Sequence, residues 1–201
     1  MIEDDTVTDE SLLARIAFGD VEALGVLFRR RQQSVFRFAL HLTGSPAIAD
    51  DVTQDVFLAV IRDAGRFDPG RAIVTAWLCG IARNFVRRRL GVAREVASID
   101  DDAFDGPMPA VTPDPLMDLT SGEALEALRR AVLSLPIKYR EVIVLCDLQE
   151  MTYEDAASTL ACALGTVRSR LHRARALLTS KMQAEHKGNE GASGVMKRFI
   201  A

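Results

Sequence analysis

The 201-residue chain is poor in aromatics, with one Trp, two Tyr and nine Phe. Leu, Ala and Val dominate instead, which favours helices over sheets. Cysteine is scarce as well. Cys79, Cys146 and Cys162 show no paired spacing, and His41, His172 and His186 are equally scattered. No zinc site or other metal centre is expected from such a set, and no cofactor is called for. The thiols read as small, reduced core or near-core residues of a cytoplasmic protein. No apolar run approaches the length of a membrane span, and residues 1–10 are acidic rather than basic and apolar. Neither membrane insertion nor a signal peptide is therefore expected. The net charge is only −3, so no global field draws the chain to a polyanion. Any such attraction must come from local segregation of charge.

Segregation is what the chain has. Residues 166–181 carry five cations, Arg168, Arg170, Arg173, Arg175 and Lys181, and no Asp or Glu. Residues 93–122 show the reverse, with seven acidic residues against the single basic Arg94, and four of the seven prolines. No periodicity survives there, which marks a flexible acidic linker. On either side the apolar residues recur at helical spacing. Residues 9–42 read as two helices broken at Gly19-Asp20. Thr43-Gly44-Ser45-Pro46 is a stop and restart, with Ser45 as N-cap and Pro46 at the first helical position. That helix runs to about Gly65, and a further one spans residues 73–90. Patterning resumes at Glu123. The expected fold class is all-α, with two small helical domains at 1–92 and 123–184, the linker at 93–122 and a loose tail at 185–201.

In the second domain, Thr152-Tyr153-Glu154-Asp155 resembles a capping box and starts a helix that ends near Leu160. Gly165-Thr166 opens the next, giving a helix-turn-helix. On a wheel of about 100° per residue, Val167, Leu171, Ala174 and Leu178 form the buried stripe of that second helix. Arg168, Ser169, His172 and Arg173 project from the other side, a set able to grip phosphate or base edges in a DNA groove. A solvated surface helix is the alternative. Arginines without carboxylates to pair at i,i+4 repel one another and argue against it.

In the first domain, the wheel sets Asp50, Gln54, Phe57 and Ile61 on one face of the helix over residues 48–61, opposite Ile48, Val52, Val56 and Ala59. That is the pattern of an apolar interface anchor with a polar rim. A helix buried on two sides, with Phe57 in the core, fits the wheel equally well. The helix over 73–90 has Val74, Trp77, Leu78, Ile81 and Phe85 on its apolar stripe, with Trp77 read as mainly core. Arg83 and Arg87 lie opposite, Asn84, Arg88 and Arg89 near the edges, and no acidic residue on the helix pairs with them. A second nucleic-acid contact is expected here. Phe67, in the preceding Phe67-Asp68-Pro69-Gly70 loop, fits either stacking on an unpaired base or plugging the domain edge.

Four blocks carry a family resemblance: DDVTQDVFLAV from Asp50, FDPGRAIVTAWLCGIARN from Phe67, LPIKYREVIVLCDLQEMTYEDAASTL from Leu135 and GTVRSRLHRARALL from Gly165. In that order they resemble regions two and four of extracytoplasmic-function (ECF) sigma factors, with the acidic linker standing where the family lacks region three. The resemblance covers residues 9–182. It implies a non-enzymatic promoter-specificity subunit of bacterial RNA polymerase. The helix around Asp50, Asp51, Gln54, Asp55, Phe57 and Ile61 would dock on the clamp of the largest polymerase subunit. Phe67, Arg83, Asn84, Arg87 and Arg88 would capture an extruded base of the −10 element. Arg168, Ser169, His172 and Arg173 would read the −35 duplex. The implied partners are core RNA polymerase, promoter DNA and an anti-sigma factor. The linker, as a polyanion, would occupy the nucleic-acid channel of polymerase until RNA displaces it.

The chain departs from the family pattern twice. Phe85-Val86 precedes Arg87-Arg88-Arg89 where an Asp is common, and Cys162-Ala163-Leu164 replaces an Ile-Pro-Val type turn, which raises the question of a redox-sensing thiol at Cys162. A stand-alone helix-turn-helix regulator is the alternative function, but it leaves the N-terminal blocks without a purpose. A catalytic protein acting on nucleic acid finds no carboxylate cluster or nucleophile–base pair to support it.

Overall fold

A computed structural model describes the backbone of residues 7–92 and 122–199, and the side chains of residues 7–92 and 125–183. The acidic linker falls outside the described residues, apart from Gly122 at the start of a helix. Every regular element among the described residues is helical.

The first unit holds α1 (Asp9–Ala17), α2 (Val21–Thr43), α3 (Pro46–Asp63), a 3-10 turn (Ala64–Arg66) and α4 (Val74–Arg89). Its breaks are chemical. Asp20 Oδ1 accepts the Ala23 N–H at 3.0 Å and caps α2. Gly44, at φ +70°, ends α2 in the left-handed conformation, and its N–H donates to the Leu40 carbonyl at 2.7 Å. Ser45 Oγ then accepts from the Ile48 N–H, and Pro46 sits in the first turn of α3 where no donor is needed. The buried Asp9 fastens α1 to α2, accepting from Arg30 Nη1 at 3.1 Å and from Arg31 Nε. Leu12, Leu27, Phe38, Leu42, Val52, Leu78 and Val86 fill the centre, each at most 1% exposed. Each such side chain contributes about 1.5–3 kcal/mol by leaving water.

The second unit holds α5 (Gly122–Leu133), α6 (Ile137–Ile143) running into a π-helical turn (Val144–Leu148), α7 (Tyr153–Leu160) and α8 (Leu164–Phe199). Thr152 caps α7, its Oγ1 accepting the Asp155 N–H at 3.1 Å and donating to Asp155 Oδ2 at 2.7 Å. Ala161 closes α7 at φ +52°, so the turn of the helix-turn-helix is made by an alanine in a conformation that favours glycine. Of the expected buried stripe of α8, Val167, Leu171 and Ala174 are at 2% exposure or less, and Leu178 is half-buried. Over the expected tail the backbone is helical as far as Phe199. No proline interrupts it, and each glycine costs a helix only about 1 kcal/mol against alanine.

The two units are docked. Their buried side chains form one continuous cluster, with α4 against α7 and α2 against α5, α6 and the π turn. At the α2–α5 seam, a Cβ on Gly44 would lie 2.7 Å from Leu133 Cδ1, so the glycine is needed for close approach as well as for its φ. Arg140 of α6 reaches across to the Leu42 carbonyl and also holds the Leu133 and Leu135 carbonyls.

Candidate nucleic-acid interface

On the first unit, α3, the 3-10 turn and α4 wall an open cavity of about 330 Å³. Trp77 and Phe85 supply aromatic surface, Asn84 an amide, and Arg62, Arg66 and Arg88 positive charge, partly offset by Asp63, which lines the cavity and pairs with Arg66 at 3.1 Å. Phe67 packs edge-on against Trp77, with ring centroids 5.5 Å apart, and Arg88 lies 5.8 Å from the Phe85 ring centre. A flat, electron-rich floor, an amide for a base edge and cations for a backbone are what an unstacked nucleotide requires. Trp77 is half-buried and lines this cavity as well as the core beneath it. Arg62 and Arg66, which sequence reasoning passed over, belong to the same wall. Their i,i+4 spacing just ahead of Phe67 was the available signal.

Arg83 and Arg87 are elsewhere. The helix itself carries no acidic partner for them, yet the second unit supplies one. Glu141, 1% exposed, has Oε1 2.9 Å from Arg83 Nε and 3.2 Å from Arg87 Nη1. The Arg83 contact is an ion pair without hydrogen-bond alignment. Arg87 is 7% exposed, so the expectation that it faces solvent is corrected. A wheel places a residue on one side of its helix but does not show that another domain covers that side.

The same correction applies on α3. Asp50, Asp51 and Gln54 are exposed, whereas Asp55 pairs with Arg89 at 2.6 Å. Phe57 is a core residue at 5% exposure, its ring edge-on to Phe28 of α2 with centroids 4.8 Å apart. The apolar side chains presented outward are Leu58 and Ile61, at 57% and 52% exposure. Phe57 is drawn under α2 at Phe28, while Asp50, Gln54 and Ile61, which share its wheel face, stay exposed.

Along α8, Arg168 is exposed and His172 and Arg173 are half-buried. Ser169 is not presented. It is 5% exposed and its hydroxyl donates to the Thr166 carbonyl at 3.1 Å. Arg175 finds the carboxylate that the helix lacks in Asp147 of the π turn, with Nη2 2.6 Å from Oδ1 and Nε 3.1 Å from Oδ2. This bidentate pair fastens α8 to the turn before the helix-turn-helix. Burial pushes the Cys79 thiol up to about 12. Burial and the Asp147 charge push Cys146 up to about 11. Burial also holds Cys162 above its ordinary value, against the charges of Arg170 and Arg83, so its thiolate is disfavoured. Among the described residues no three His, Cys, Asp or Glu side chains gather as a metal site, and no helix is long and apolar enough to cross a membrane.

An open aromatic cavity on one helical unit and a helix-turn-helix on the other accompany a match to promoter-recognition subunits of the sigma-70 type. Residues 27–95 match the Sigma-70 region 2 family and residues 125–178 match Sigma-70 region 4. More narrowly, the chain belongs to the ECF RNA polymerase sigma factors. It is 32% identical to the ECF RNA polymerase sigma-E factor of Escherichia coli K12 over 88% of this chain and 95% of that protein. It is 35% identical to the sigma factor SigM of Mycobacterium tuberculosis H37Rv, over 85% and 83%. Against SigE of Mycolicibacterium smegmatis it is 34% identical, spanning 83% of this chain and 64% of that longer protein. Its fold is similar to CnrH, solved in complex with the cytosolic domain of CnrY, with a TM-score of 0.62 at 28% identity over 88% of this chain and 97% of that one. It is similar also to RpoE of Bartonella quintana, solved with the anti-sigma factor NepR, with a TM-score of 0.60 at 27% identity over 81% and 98%. The chain is a sigma factor, and a stand-alone regulator is set aside because region 2 has no place in one.

Proposed function

We propose that this sigma factor docks on core RNA polymerase through α3, captures a base of the melted −10 strand beside α4, and reads the −35 duplex with α8. The observation that carries the reading is the cavity of Trp77, Phe85 and Asn84 ringed by Arg62, Arg66 and Arg88. Duplex readout alone would not call for an aromatic pocket. Polymerase meets the exposed Asp50, Asp51, Gln54 and Ile61, with Leu58 taking the anchoring place first expected of Phe57. Arg168, His172 and Arg173 form the duplex-reading edge, without Ser169. The subunit is non-catalytic and works in the cytoplasm, where polymerase and promoter meet. An anti-sigma factor restrains it; the similarity to RpoE solved with NepR supports such a partner.

Reconstitution with core polymerase tests this reading. Genomic run-off transcription should yield starts behind a shared −35/−10 pair, and promoter DNA should be retained by the holoenzyme far better than by the chain alone. Arg173→Ala should weaken −35-dependent transcription by about 1–3 kcal/mol if it contacts a base. Tight operator-like binding by the chain alone, with no promoter-dependent transcript from the holoenzyme, would sink the proposal.

A further inference from the structure

The basic column of α8 ends on an ion pair between Arg175 and Asp147 of the π turn. Arg168, His172 and Arg175 have i, i+4, i+7 spacing and so line one side of the helix. At about 1.5 Å per residue, Arg175 lies roughly 10 Å further along α8 than Arg168. A recognition helix reads base edges with its N-terminal residues, and the major groove is about 12 Å wide. A side chain that far along the helix meets the wall of the groove, where the phosphates run.

The pair is side-on. Arg175 Nη2 lies 2.6 Å from Asp147 Oδ1, and Nε lies 3.1 Å from Oδ2. This engages the side edge of the guanidinium. The end edge, Nη1 with the second hydrogen of Nη2, is not used by Asp147. An edge of that kind takes a phosphate through two parallel hydrogen bonds. While so held, the Arg175 side chain keeps 36% of its surface in solvent. Tyr153, the first residue of α7, stands beside the same guanidinium, so the π turn, α7 and α8 meet on it. An ion pair this exposed adds little to stability, and a carboxylate facing DNA repels phosphate. What Asp147 does for Arg175 is to fix its long side chain before DNA arrives. A loose arginine would lose that rotamer freedom on binding.

We infer that Asp147 is a positioning residue for promoter binding: it braces Arg175 so that the end edge of the guanidinium meets a backbone phosphate beside the −35 bases. The inference rests on the reading of α8 as the duplex-reading helix. Arg175 then sets where α8 sits in the groove, and the residues nearer its N-terminus read the bases.

Holoenzyme made with variants of the full chain tests the brace. The probe is a fluorescein-labelled duplex spanning the −35 element of a promoter mapped by run-off transcription, titrated at several salt concentrations. Asp147→Asn keeps the shape and removes a charge that repels DNA, yet its affinity should fall about threefold to tenfold because Arg175 is no longer held. Arg175→Ala should lose at least as much, with the salt slope reduced by about 1. Arg175→Lys supplies a point charge without the planar fork, so it should keep the slope but not the affinity. In the Arg175→Ala background, Asp147→Asn should weaken binding no further. Unchanged or tighter binding by Asp147→Asn would overturn the brace, as would full affinity in Arg175→Lys. So would an unaltered salt slope in Arg175→Ala, which is the result expected if the pair only staples α8 to the π turn. Arg168→Ala is the separate control on α8. If it too leaves −35 binding intact, the duplex-reading role of α8 falls, and the brace with it. If Arg168→Ala weakens binding while Asp147→Asn does not, the brace alone falls.

Discussion

Replacing Phe57 and Leu58 one at a time separates folding from docking on adjacent residues of one helix. Phe57 is 5% exposed and rests edge-on against Phe28 at 4.8 Å, so Phe57→Ala leaves a cavity in the centre of the first unit. Truncations of this kind cost about 3–5 kcal/mol, in which the aromatic pair itself accounts for about 0.5–1.5. With a urea slope of about 1–3 kcal/mol/M, the unfolding midpoint should fall by roughly 1–5 M. Leu58 is 57% exposed, and Leu58→Ala should change stability by no more than about 0.5 kcal/mol. An interface anchor loses more than about 2 kcal/mol on truncation, so affinity for core polymerase should drop at least about thirtyfold. Urea unfolding by circular dichroism and titration of labelled core polymerase give both numbers on each variant. Near-native stability with lost polymerase binding in Phe57→Ala, and the converse in Leu58→Ala, would refute the assignment of inside and outside on α3.

Other consequences concern the turn, the seam and the cavity. Ala161→Gly should stabilise the second unit by about 0.5–1 kcal/mol, because the left-handed strain of about 1–2 kcal/mol outweighs glycine's extra freedom when unfolded. A lowered thermal midpoint would contradict this. Burial, aided by the charges of Arg129 across the seam and Arg37 on its own helix, holds His41 below its ordinary 6.5. The unfolded chain therefore takes up a proton first, so the stabilisation is complete above pH 6.5 and declines as pH falls through 6.5 toward the lower folded value. Urea midpoints at a series of pH values should show that decline in the unaltered chain and a flatter profile in His41→Gln. Asn84→Ala should leave the thermal midpoint in place yet weaken holoenzyme binding to a −10 single strand by about 0.5–1.5 kcal/mol, measured by anisotropy. Equal binding would remove Asn84 from the cavity's chemistry.

Much of the fold was legible because its punctuation is local. Asp20, Gly44, Ser45, Pro46 and Thr152 act on backbone groups within four residues, so their effect can be read without knowing what packs nearby. The stripe of Val167, Leu171 and Ala174 is equally local, since helical spacing alone aligns it. Legibility failed wherever a second neighbour mattered. Phe57 met Phe28, Arg175 met Asp147, and Arg83 and Arg87 met Glu141, each a partner far away in sequence. Trp77 was half legible: it is on the apolar stripe, but that stripe emerges at the rim of a cavity.

By itself the sequence determined that this chain is helical and that its charge is divided between a basic helix and an acidic stretch, and four ordered blocks carried the resemblance to a sigma factor. The first two properties depend on periodicity, capping and composition, which are carried by residues close together along the chain. Only the tertiary structure decided which side chains remain available to a partner. It drew Phe57, Ser169 and Arg87 inward, turned Leu58 and Ile61 outward, and brought Glu141 onto the arginines of α4. Exposure and ion pairing depend on distances through space, and those exist only once the two helical units have packed.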